Sequence, residues 1–159
     1  MGAARAADRH PYGRLTFEDL KGLRAEAYIR DSSLDQRDGY GPEIQRQAIE
    51  IFARAYGCTL GSSWYTDFIT GTSVIRRSGF KQALQDAQVD SFDVLLVHHT
   101  SRFARNRADA IRYKEELHKL GKIVVFVSQG IISGNDNDFL NEGIMNCWMN
   151  SIRATCLDG

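Results

Sequence analysis

Apolar residues along this chain follow two alternating rhythms. Short, nearly continuous apolar runs predict strands at 25–30 (AEAYIR), 92–99 (FDVLLVHH) and 122–128 (KIVVFVS). Four consecutive apolar residues in the second run mark a strand buried on both faces. TLGSSWYT at 59–66 predicts one more strand. Between these runs the spacing becomes helical. Ile44, Ala48, Ile51 and Ala55 recur between Pro42, placed where helices accept proline at their start, and Gly57, placed as a stop. Residues 80–89 predict a short helix. Ala110, Tyr113, Leu117 and Leu120 line one face of another, ended by Gly121, and Leu140, Ile144, Trp148 and Ile152 align on a last one. The stretch 67–79 is rich in turn formers and predicts a mobile loop, and a Gly/Asn/Asp loop fills 129–137. Residues 1–24 predict a weakly ordered extension with a short helix around 17–23. Strands alternating with helices predict an α/β fold: a three-layer sandwich with a mainly parallel central sheet.

Composition narrows the class. Of 159 residues, 43% are hydrophobic and 25% charged, the mix of a globular domain rather than of a disordered tail. No apolar run is long enough for a membrane span, and the N-terminus lacks the apolar core of a secretory signal. Cys58, Cys147 and Cys156 are odd in number and form no C-x-x-C pair. A disulfide framework is therefore not expected, and a reducing cytoplasm is. The 20 basic and 20 acidic residues cancel, yet unevenly. From 102 to 122, seven basic residues face three acidic ones, whereas 131–159 is acidic. Such asymmetry fits an anion site or a solvated helix face.

In open α/β sheets, sites collect at the carboxyl ends of strands. Two clusters lie there: Tyr28 to Gln36 after the first strand, and Ser101 to Asn106 after the buried third. If both strands belong to one sheet, Arg30, Arg102 and Arg105 can converge near the Ser32 hydroxyl. Guanidinium stays charged and offers phosphate oxygens a planar fork, so such a cluster fits a phosphodiester. It would neutralise charge on non-bridging oxygens, a task often given to metal. No metal site and no cofactor is expected. GNDND at 134–138 lacks the spacing of a calcium loop and reads as a turn and helix cap, and the glycines near 71 lack a Walker ending. A serine in such a loop is also a common turn or cap residue. His98 and His99 read as packing or supporting residues.

The order Y-x-R-x-S-S-x-x-Q, G-P-E-I-Q-R-Q, D-x-x-x-G-T-S-x-x-R-R-S-G-F and F-D-V-L-L-V-H-H-T-S-R-F-A-R-N resembles the catalytic domain of serine recombinases, the resolvase/invertase fold. It is most similar to the large serine recombinases, over about residues 25–145. The resemblance implies that Ser32 is the nucleophile and that Arg30, Arg102 and Arg105 are essential arginines. Arg77 matches the arginine of a mobile loop, and Gln45 an active-site glutamine. It implies DNA as partner, a homodimer that becomes a tetramer in the synaptic complex, and cleavage and rejoining through a 5′-phosphoserine link. Ser101 stands where many members carry Asp, and Asp31 where an apolar residue is common. The expected division is an extension at 1–24, the catalytic domain at 25–137 and a C-terminal helix at 138–159, truncated before any DNA-binding domain. Two rival readings are a catalytically silent oligomerisation module of this fold and a Ser/Arg phosphoesterase.

Overall fold

The computed structural model describes residues 15–32, 41–69, 77–104 and 106–133. Strand β1 (Arg24–Ser32) leads through helix α1 (Pro42–Tyr56) to β2 (Thr59–Ile69), then through α2 (Ser78–Gln88) to β3 (Val94–Val97). A single turn, α3 (Thr100–Phe103), and α4 (Arg107–Lys119) precede β4 (Ile123–Phe126), and β5 (Ile131–Ser133) closes the described chain. The sheet order is β2-β1-β3-β4-β5. The first four strands are parallel, and β5 joins β4 antiparallel. The mainly parallel three-layer sandwich predicted from the alternation is present. Its strand order reverses between β1 and β3, which opens a crevice outside their carboxyl ends.

Each face of the sheet carries its own core. Ala27 and Ile29 of β1, with Val94, Leu96 and Val125, pack against Ile49 and Phe52 of α1 and against Leu20 and Leu23. Tyr28, Leu95, Val97 and Phe126 point the other way, toward Phe80, Phe103 and Leu117 from α2, α3 and α4. Both cores exist because successive strand residues face opposite sides, and β3 and β4 are apolar at every position. A 3₁₀ turn, Phe17–Leu20, precedes β1. At the amino ends of the strands, Arg24 forks onto Asp93, with Nε to Oδ2 at 3.1 Å and Nη2 to Oδ1 at 3.0 Å, and so ties β1 to the entry of β3.

Three expectations change. The stripe Ile44–Ala48–Ile51–Ala55 faces solvent: Ile44 is 45% and Ile51 65% exposed, while Gln45, Ile49, Phe52 and Ala53 are buried. The strand read at 59–66 runs on to Ile69, and the helix read from 80 begins at Ser78, so only residues 70–76 of the expected loop lie outside the described chain. Strand β5 falls within residues read as a loop. The helix expected at 138–159 lies outside the described residues.

Candidate active site

β1 carries Tyr28, Arg30 and Ser32 at alternate positions, hence on one face. Tyr28 is fully buried, whereas Arg30 and Ser32 are half-buried at the mouth of the sheet. Arg30 reaches sideways across the reversal point. Its Nη2 donates to the Ser101 carbonyl at 2.5 Å, next to Arg102 on the α3 turn that follows β3. The two clusters read from the sequence are thereby joined. Gln45, wholly buried at the first turn of α1, donates from Nε2 to the Arg30 carbonyl at 3.1 Å. One contact thus holds the Arg30 side chain and another its backbone. Arg105 lies outside the described residues.

Arg77 immediately precedes α2. Its guanidinium packs on the rings of Phe80 and Tyr113, with Cζ 4.5 and 4.6 Å from their centroids. It donates to the Tyr28 hydroxyl at 3.3 Å and to the Phe103 carbonyl. Stacking and forked donation together are what guanidinium can do and ammonium cannot. The structure therefore links Arg77 to β1 through Tyr28.

Asp67 and Tyr28 were not singled out from the sequence as site residues. Asp67, 1% exposed near the end of β2, accepts the Gly79 and Phe80 amides at 2.7 and 3.1 Å and the Tyr28 hydroxyl at 2.9 Å. It joins the first turn of α2 to β1. Burial raises the Tyr28 phenol above its ordinary value, so the hydroxyl keeps its proton and donates. The alternation Tyr28-x-Arg30-x-Ser32 was the available signal for Tyr28. Asp67 opens the D-x-x-x-G-T-S motif, but its partners lie far along the chain and the spacing gave it no role.

His98 and His99 end the β3 segment. Both imidazoles are held below the ordinary histidine value, first by burial and then by neighbouring cationic charge, with Arg102 among the causes for each. Among the described residues no group of three or more His, Cys, Asp or Glu is placed to hold a metal, and no helix is long and apolar enough to cross a membrane.

The family description "Resolvase, N terminal domain" matches residues 25–150. A resolvase family site-specific recombinase from Streptococcus pneumoniae is similar in structure, with a TM-score of 0.64 and 25% identity over 86% of this chain and 95% of that one. The N-terminal catalytic domain of TP901-1 integrase aligns with a TM-score of 0.62 and 20% identity, covering 83% and 98% of the two chains. The C-terminal catalytic domain of ISC1926 TnpA, an IS607-like serine recombinase, aligns with a TM-score of 0.54 and 26% identity over 66% and 67%. No curated protein matches the chain in sequence. With a family match spanning most of its length, the chain belongs to the resolvase family, and its fold is that of the serine recombinase catalytic domain.

Proposed function

We propose that the chain cleaves and rejoins DNA by transesterification at Ser32. The Ser32 oxygen attacks a backbone phosphorus, forms a 5′-phosphoserine ester and releases a 3′-hydroxyl. A 3′-hydroxyl, from the same or another strand, then attacks the phosphoserine and restores both the diester and the serine. One ester replaces another at each step, so no external energy source is consumed. Arg30, Arg102 and Arg105 neutralise the non-bridging oxygens, Arg77 joins from the start of α2, and Gln45 fixes the strand that bears both Ser32 and Arg30. The partner is DNA. A dimer that pairs into a tetramer is the assembly this chemistry needs to exchange strands, and the cytoplasm is its setting. Residues 25–137 form the catalytic unit, extended by Leu20 and Leu23, which belong to its core.

The observation that carries this reading is the bond from Arg30 to the Ser101 carbonyl. It brings the arginine two residues before Ser32 beside the turn bearing Arg102, at the crevice where such sheets bind ligands. The test is incubation with a pool of nicked suicide duplexes, followed by denaturing electrophoresis. A covalent protein–DNA band that vanishes in Ser32→Ala is expected. A band of equal strength from Ser32→Ala would overturn the assignment.

A further inference from the structure

The exit of β3 is fastened at several points. The Thr100 amide donates to Gln129 Oε1 at 2.9 Å, from the connection between β4 and β5. The Ser101 amide donates to His99 Nδ1 at 3.1 Å, and the Ser101 hydroxyl lies 2.9 Å from the same nitrogen. The Arg102 amide donates to the His99 carbonyl at 2.9 Å. On the opposite side, the Ser101 carbonyl receives Arg30. One residue, Ser101, is thus gripped by His99 through its amide and hydroxyl and by Arg30 through its carbonyl.

The tautomer follows from the donor. An amide N–H only donates, so Nδ1 must present its lone pair, and the ring proton sits on Nε2. Adding a proton to Nδ1 would set N–H against the Ser101 amide N–H, remove the acceptor that caps the turn and turn the ring toward the Ser101 hydroxyl oxygen alone. We propose that His99 is a positioning residue: its neutral imidazole holds the Thr100–Phe103 turn in the shape that offers the Ser101 carbonyl to Arg30 and Arg102 to the substrate, and protonation releases that turn. This inference rests on the transesterification reading for its effect on activity, though not for its effect on structure.

Arg102, a permanent cation, is the charge that acts on the imidazole. His98 precedes it on its own strand, Arg102 faces it from the turn, and Arg30 approaches from β1 through Ser101. Gln129, from the β4–β5 side, is neutral. Burial and the Arg102 charge both disfavour imidazolium, so the acceptor form prevails around neutrality. In acid the acceptor is lost.

The test pairs a structural readout with a chemical one on the whole chain. Nitrogen-15 NMR should show the His99 imidazole titrating below 6.5, the ordinary value, with the Ser101 amide moving at the same midpoint. Independent movement of the two would overturn the proposal. Adduct formation on the nicked duplexes should fall on the acid side with that midpoint. His99→Leu should slow it by roughly fivefold or more above that midpoint, the usual scale of a lost cap, and converge with wild type below it. His99→Asn, which keeps an acceptor without a titrating ring, should recover most of the rate and remove the acid limb. An Asn variant with an unchanged acid limb, or a Leu variant with full rate, would overturn it. No adduct from the unaltered chain at any pH would sink the transesterification reading instead, and NMR alone would then decide the role of His99 in the turn.

Discussion

The Tyr28 hydroxyl donates to Asp67 Oδ2 at 2.9 Å, and Arg77 donates to the oxygen of that same hydroxyl at 3.3 Å. A buried relay therefore runs from the end of β2 through β1 to the residue that opens α2. Asp67 also receives two amides of that helix, so a single carboxylate sets both where α2 begins and how Tyr28 points.

Asp67→Ala would leave three donors without this acceptor in a dry site. The expected loss is about 3 kcal/mol, because each unsatisfied buried donor costs on the order of 1 kcal/mol or more. Tyr28→Phe removes two bonds but leaves Asp67 its two amides and Arg77 the Phe103 carbonyl, and should cost less, about 1–2 kcal/mol. Urea unfolding followed by circular dichroism checks both values, and the order of the two is the decisive outcome.

Gly79 admits no side chain. A Cβ there would lie 2.7 Å from the Thr66 carbonyl oxygen and 2.9 Å from its amide nitrogen, both backbone atoms of β2. Gly79→Ala should destabilise by about 2 kcal/mol as α2 is pushed off the sheet. A midpoint unchanged from wild type would show that α2 can shift without penalty.

Stability should decline as pH falls past 6.5. In the unfolded chain His98 and His99 titrate near that value, and in the native chain both lie lower. Across the interval the unfolded state binds more protons, so acid favours unfolding, and the effect saturates below the native values. Urea midpoints at about pH 7.5 and about pH 5.5 should differ in wild type, and less so in His98→Gln combined with His99→Asn.

Lys122 is 4% exposed and bonds to Asp90, which also lies 3.5 Å from Arg24 and has φ of +59°. Removing the carboxylate strands a buried ammonium, whereas replacing the ammonium by an apolar chain of similar length does not. Because Asp90 is itself largely exposed, solvent weakens the pair. Asp90→Asn should cost about 1–2 kcal/mol and Lys122→Met less than about 1 kcal/mol. The reverse order in thermal melts would refute this account.

Arg30→Lys keeps the charge and loses the fork. Adduct formation should fall by roughly a hundredfold if donor geometry counts, the scale of one lost donor to a developing charge. Stability should change by less than about 1 kcal/mol, since Gln45 still holds the strand through its backbone. Single-turnover cleavage separates the two effects.

Much of this architecture was legible in the sequence, and its misreadings have physical causes. The runs at 92–99 and 122–128 announce β3 and β4 because strands covered on both sides have no polar rhythm to confuse them. Pro42 and Gly57 bracket α1 because fixed φ suits a helix start and positive φ its end, Gly57 standing at +71°. The wrong face of α1 was chosen because Gln45 occupies a core position. A buried amide that holds Arg30 breaks the true apolar stripe and lets the solvent-facing one look better. β5 is three residues long, too short for any period to show. Of the site, Arg30, Ser32 and Arg102 follow from the rule for strand ends. The relay through Asp67 depends on which strands become neighbours, and no local spacing records that.

β1 is the first strand in the chain and an interior strand of the sheet, between β2 and β3. Until Val94–Val97 has been made, its β3-facing flank presents unpaired amides and carbonyls, and Leu95 and Val97 are missing from their core. A ribosome stalled before that point, or a protease cutting there, would yield a fragment with an open template for self-association. Expression of chains ended before residue 94 should therefore give inclusion bodies, and restoring β3 should mark the onset of solubility.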